Sequence, residues 1–380
     1  MEIKFLFPID GDVLTPDDGQ LITEPLYGER LWIPVRLRVS GIINQQDVEV
    51  TVNEYKATKV TNPDPEELQT LCDGIYQVLV PLDGVRTTLD AKAFGAGAVI
   101  RVYRFKDAYR KYRLAMDDMI WTMRELAQRC GEIDSIFQVP FLSMLRDLHS
   151  EYGTKIHGNL YFWDETKQFD LTQVPNKFRD EFEKNSDWLK FTFHARANDP
   201  DYIYRHAPYS ELLHDYHQVT NEILRFAGPK VNTNVNGLHW AETTLEGARA
   251  LRTVGIKCLV GYYISDEATG CPSIAYYLNR GQRDHCAQRD FWVDNAEDIV
   301  FSKDKMVIDS FPVEGIEPFL DDLKQNHPHE AGTMNFVTHE QYFYPHSSFY
   351  QADFRDKIFT AIGWAAKNGY TPCFLDDVIG

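Results

Sequence analysis

The sequence predicts an α/β barrel of the (β/α)7 kind preceded by a small all-β sandwich. Three observations lead there. Roughly the first hundred residues alternate apolar and polar side chains between turn signals. From about Lys106 the pattern changes to helical spacing interleaved with apolar strands, six or seven times over. Histidines and paired acids then stand where those strands end, which in parallel barrels is the functional rim. The expected boundaries are 1–107 for the sandwich and 108–380 for the barrel.

In the first part, RLWIPVRLRVSG, DVEVTVNEY, GIYQVLVPLDG and AGAVIRVYRF each read as strands, separated by Gly41, Asp73-Gly74 and Asp83-Gly84. FGAGA at Phe94–Ala98 lies between strands rather than before a helix, so it reads as a hairpin turn and not a nucleotide loop. In the second part YRLAMDD is the first strand, followed by the helices MIWTMRELAQRC and FLSMLRDLHSEYG, the latter stopped by Gly153. TKIHGNLYFW and WLKFTFHA are strands, YSELLHDYHQVTNEILRFAG a helix, NVNGLHWAE a strand and TLEGARALRTVG a helix. IKCLVGYY, IEPFLDDLKQN, TMNFVTHEQYFY and DFRDKIFTAIGWAAKNG continue the alternation, and YTPCFLDDVIG ends it.

Composition narrows the function. The chain has 380 residues, 43% of them hydrophobic and 25% charged, as in globular proteins with a sizeable core. Its 57 acids outnumber its 39 bases for a net charge of −18, which repels phosphate backbones and anionic lipid. Neither nucleic acid nor a membrane is therefore an expected partner, and no apolar run reaches the roughly 18 residues that span a bilayer. The six cysteines form no C-x-x-C pair, so thiolate zinc and a disulfide framework are both disfavoured. With no signal-peptide layout at the start, the expectation is a cytoplasmic protein with free thiols. Aromatic residues make up 13%, which slightly favours a carbohydrate or small-molecule partner, since rings stack on sugars.

The strand ends carry the candidate chemistry: Asp117 and Asp118, then His194, then His239, Trp240 and Glu242, then His339 and Glu340. Imidazole and carboxylate are the usual ligands of a hydrolytic divalent ion such as zinc. Plainer roles are open to each. Asp117-Asp118 can cap the following helix, His194 can be a hydrogen-bonded core histidine, and His239-Trp240 can pack under a helix. His157 lies farther from its strand end and reads as core. Glu242 and Glu340 also admit a glycoside hydrolase.

Ala115-Met116-Asp117-Asp118-Met119, followed late in the chain by Val337-Thr338-His339, resembles the T-F-D-D-G and L-x-H motifs of the polysaccharide deacetylase superfamily. That resemblance implies a metal-dependent barrel enzyme that removes acetyl groups from amino sugars. It implies Asp117 as general base, Asp118 as metal ligand and His339 as general acid. The family's H-[ST]-x-x-H is replaced by His194-Ala195-Arg196-Ala197-Asn198, so His239 is the expected substitute ligand. Trp121, Trp240, Glu242, Glu340 and Tyr342 are the expected substrate-binding residues. The front domain, from FPIDGDVL, looks like the immunoglobulin-like sandwiches fused to sugar-active enzymes. A non-catalytic carbohydrate-binding protein with a degenerate site is the alternative from outside enzymology.

Overall fold

The computed structural model describes residues 1–41, 48–68, 73–266 and 271–379. Two compact units divide the chain: Met1–Lys106 with Phe291–Asp298, and Asp107–Asp290 with Ile299–Ile379.

The first unit is one antiparallel sheet. Its strands are β1 (Glu2–Phe7), β2 (Gln20–Glu24), β3 (Gly28–Ser40), β4 (Val50–Val52), β5 (Tyr55–Lys59), β6 (Gly74–Pro81), β7 (Arg86–Ala93) and β8 (Ala96–Tyr103). They run in the order β1-β3-β6-β5-β4-β7-β8, with β2 on β3. The inward set of β3 (Ile33, Val35, Leu37, Val39) meets Leu89 and Ala91 of β7 and Val102 of β8 in one core, as period-2 alternation requires. DVEVTVNEY, whose first residue Asp47 lies outside the described residues, holds a turn and not one strand. Asn53 takes φ +54 there and folds β4 back on β5. FGAGA turns through Phe94 and Gly95 at φ +43 and +78, the two positive angles of a tight hairpin.

The second unit begins with β9 (Lys111–Met119), α1 (Trp121–Arg129), α2 (Pro140–Tyr152), β10 (Ile156–Tyr161), α3 (Arg179–Lys184) and β11 (Leu189–Ala195). It continues with α4 (Tyr209–Phe226), β12 (Val235–Asn236), α5 (Leu245–Thr253), β13 (Cys258–Gly261), a short hairpin β14 (Ile264–Asp266) and β15 (Cys271–Ile274), and α6 (Arg280–Cys286). After β16 (Phe291–Asp294), which belongs to the first unit, come β17 (Ile299–Lys303), β18 (Met306–Val307), α7 (Val313–Asn326), β19 (Thr333–His339), α8 (Phe354–Lys367) and β20 (Thr371–Pro372).

These strands pair in parallel, in the order β11-β10-β9-β19-β18 with β20 also on β9, and β12-β13-β17 beside them. A parallel bridge from Phe191 to Asn232 and the Asn236 side chain on Phe193 O join β11 to the β12 strand. Lys305 N donating to Asn335 O (2.8 Å) ties the chain after β17 to β19. β10 is buried along its whole length and β19 at every position but His339. Burial on both faces is what parallel strands in such a sheet meet, and it takes in polar residues as well, His157 and Asn159 on β10 and Thr333, Asn335 and Thr338 on β19. On α4, Leu212, Tyr216, Val219, Ile223 and Phe226 form the buried stripe, and Gly153 at φ +68 ends α2.

Two strands are shorter than their sequence patterns. NVNGLHWAE supplies only the two residues of β12, and its end, His239–Ala241, forms a helical turn with Trp240 and Ala241 at φ +62 and +45. TMNFVTHEQYFY stops being a strand at His339, and Glu340–Tyr342 form a helical turn. The parallel arrangement brings the ends of β9, β10, β11 and β19 to one side of the sheet.

Candidate metal centre

Adjacent residues on a strand face opposite ways, yet Asp117 and Asp118 both line one cavity. Asp118 at φ +61 explains this, because a left-handed residue at the strand exit turns its side chain back to the face that Asp117 already occupies. Aspartate is among the few side chains that tolerate that region. The register of β10 against β9 also slips between Gly158 and Leu160.

Asp118, His194 and His239 bring one ligand atom each to within 4.8 Å of one another. His194 and His239 are buried, and the Asp118 side chain is 9% exposed. His194 Nε2 lies 3.1 Å from Asp118 Oδ1 and 3.2 Å from His239 Nδ1. The other nitrogen of each ring faces a backbone carbonyl, His194 Nδ1 on Gly237 O and His239 Nε2 on Asn198 O (3.2 Å). A carbonyl only accepts, so those nitrogens carry the hydrogen of each neutral ring, and the remaining two present lone pairs once any further proton has left. The Tyr161 hydroxyl, on Asp118 and 2.9 Å from His239 Nδ1, has a single hydrogen to give. With both rings neutral, three acceptors converge with too few protons between them, an arrangement a divalent cation relieves. Two imidazoles and a carboxylate, each ring oriented by a carbonyl, make a donor set that suits zinc.

The electrostatics agree. Burial pushes Asp118 toward its neutral form, but hydrogen bonds from His194 and His239 and the charge of His339 overcome it and hold the carboxyl well below its usual range. Burial opposes charge on His194, and the carboxylates of Asp117 and Asp118 outweigh it and raise its pKa. The cluster favours positive charge where the three atoms meet. A metal ion must displace the proton that His194 holds there, so affinity is expected to fall as pH drops through the raised pKa of His194. Calorimetric titration of zinc at several pH values, in buffers of different ionisation enthalpy, should show proton release; pH-independent binding without release would contradict the site.

Asp117 and His339 flank the cluster. Asn159 Nδ2 donates to Asp117, and Gln341 Nε2 to Asp118 (2.7 Å). His339 Nδ1 meets Asp309 Oδ2 at 2.8 Å, and the same oxygen accepts from Thr338 Oγ1 and His339 N. Burial alone would lower the pKa of His339, but the Asp309 hydrogen bond and charge raise it to about 10. With Nδ1 engaged, Nε2 is the nitrogen left for the cavity. Asp309 stands 30 residues before its histidine, and no local pattern marks it.

Trp121, Trp240 and Tyr342 line the same cavity, of about 710 Å³, as do Tyr161 and Phe349. Trp240 is 38% and Phe349 58% exposed. Trp240 packs on Tyr202 at 4.6 Å and Phe349 on Tyr342 at 5.8 Å between ring centroids.

Two expected substrate residues lie elsewhere. Glu340 does not line the cavity. It is fully buried and accepts from the backbone N–H groups of Ile120 (2.7 Å), Trp121 (2.8 Å) and Thr122 (2.8 Å). Ile120, the N-cap of α1, has no side chain to cap it, so Glu340 satisfies the free donors of that helix start and meets its positive dipole end. Glu242 also stands outside the lining, buried on Arg205 Nε at 3.2 Å. The glycoside hydrolase alternative thereby loses both of its carboxylates. His157 is a core residue, its Nδ1 accepting from Arg113.

No family model matches the sequence, and no curated protein does. Among solved structures the chain is similar to one from Mycobacterium smegmatis described as a polysaccharide deacetylase, with TM-score 0.43 and 6% identity over 72% of this chain and 90% of that one. It is also similar to Agd3, described as a novel carbohydrate deacetylase, with TM-score 0.39 and 8% identity over 96% of this chain and 71% of that one. No helix among the described residues is long and apolar enough to cross a membrane.

Proposed function

We propose that the chain is a metal-dependent hydrolase of the polysaccharide deacetylase type, acting on an acylated amino sugar or related amide. The observation that carries this reading is the convergence of the free nitrogens of His194 and His239 on Asp118, with Asp117 on one side and the Asp309–His339 pair on the other. Bound at Asp118, His194 and His239, a divalent cation such as zinc supplies Lewis acidity to a carbonyl oxygen. Asp117, positioned by Asn159, takes the proton of the attacking water. His339, held protonated by Asp309, gives a proton to the leaving amine. Trp240 and Phe349 offer exposed ring faces to a sugar at the mouth.

The finer architecture belongs to the same proposal: a (β/α)7-like barrel made from the two sets of parallel strands, behind an immunoglobulin-like sandwich. The Phe191–Asn232 bridge and the Lys305–Asn335 hydrogen bond support closure of the barrel. A cytoplasmic setting is supported by the free thiols of Cys130, Cys258 and Cys373; Cys72 and the Cys271 side chain lie outside the described residues. A non-catalytic binding protein is the second reading, favoured by Asn198 in place of a family histidine.

Acetate release from N-acetylglucosamine oligomers separates the two. The zinc-loaded protein is expected to release acetate, the chelated protein to release none, and Asp117→Asn to lose roughly 10²–10⁴-fold in rate. Metal bound without turnover on any acylated amino sugar would support the binding protein.

A further inference from the structure

The cavity does not end at the metal-ligating residues. Its lining includes Ala115 and Arg113, two and four residues back along β9 from Asp117. The Arg113 guanidinium meets His157, which pairs with Ala115, two residues or roughly 7 Å along β9 from Asp117. Ala115, Val260 and Val307 give the lining apolar side chains here, and Arg113 and Asp304 also line the cavity. Both charged residues are buried, Arg113 to 1% and Asp304 to 8% exposure. Arg113 spends Nε and Nη2 on His157 Nδ1. Its Nη1 lies 3.6 Å from Asp304 Oδ1, too far for a hydrogen bond, and that oxygen has no hydrogen-bond partner. The two form an ion pair without a hydrogen bond between them. A hydroxyl beside the pair can accept from Arg113 and donate to the unpartnered oxygen of Asp304. The hydroxyl of Tyr262, another lining residue, is likewise without a partner.

An acetyl group spans only about 2.5 Å at ordinary bond lengths and leaves this compartment unused. We propose, on the basis of the hydrolase chemistry above, that the acyl group of the substrate is longer than acetyl. It runs between Ala115, Val260 and Val307 and ends in a hydroxyl or similar group lying against the Arg113–Asp304 pair.

Hydroxamates, which chelate metal through the acyl end, test this without turnover. Acetohydroxamate, butyrohydroxamate and its terminally hydroxylated counterpart would be titrated into the zinc-loaded protein by calorimetry. At about fourfold per buried methylene, butyrohydroxamate is expected to bind at least tenfold tighter than acetohydroxamate. The hydroxylated compound is expected to bind several-fold tighter again. Ala115→Leu, which fills the passage, is expected to abolish the dependence on length; if that variant does not fold, the wild-type series decides alone. Affinity that is flat or falls with length, or a terminal hydroxyl that adds nothing, overturns the inner compartment and leaves the hydrolase reading standing. Failure of all three to bind overturns that reading and this inference with it.

Discussion

Replacing Glu340 with alanine is expected to lower stability by roughly 3–5 kcal/mol, among the larger losses a single substitution brings. The change removes the acceptor of three backbone N–H groups at the start of α1, each costing about 1–3 kcal/mol when left buried and unpaired. Glu340→Gln keeps one acceptor oxygen and should fall between wild type and alanine. The same carboxylate joins the exit of β19 to the exit of β9, so the alanine variant should also bind zinc more weakly although it touches no ligand. Urea unfolding, with zinc titration of the folded fraction, measures both. A surface glutamate's loss, within about 0.5 kcal/mol, would show that the helix start finds other partners.

His194→Ala and His239→Ala are each expected to weaken zinc binding by at least about a hundredfold, since even outer-shell partners of a metal are worth 10–100-fold. Far-ultraviolet dichroism should stay close to wild type, and the d–d absorbance of cobalt should be lost in both. His157→Ala serves as the contrast: that imidazole sits below the site on Arg113, so its loss should cost stability and leave the cobalt spectrum intact. An unchanged metal affinity in either of the first two variants would remove the centre described above.

The strand exits show in the sequence because adjacent acids and histidines stand where runs rich in apolar residues end. Asp118, His194 and His339 are legible for that reason, and the structure places them around one cavity. His239 reaches the same cavity by another route, three residues beyond a two-residue strand, at the start of a helical turn whose Trp240 and Ala241 take positive φ. Glu340 reads in the sequence as a cavity residue because its neighbour His339 lines the cavity. The chain leaves the strand at that point, and Glu340 turns instead to the bare start of α1. A signal for this was present, since Ile120 cannot cap the helix that follows it and some distant acceptor had to. Asp309, Arg113 and Asp304 had no such signal: their partners are 30 residues or more away, so only the folded chain brings them together. The excursion of Phe291–Asp298 into the first unit was equally hidden, because four strand residues carry too little pattern to assign.

The imidazoles of His194 and His239 are held crosswise. His194 on β11 is fixed by Gly237, which follows β12, and His239, which follows β12, is fixed by Asn198, which follows β11. Neither loop can therefore change length alone. A residue inserted beside Asn198 would release the ring that the other loop supplies, and one inserted beside Gly237 would release the ring on β11. Loop-swapped chimaeras should consequently keep a working centre only when both segments come from the same parent.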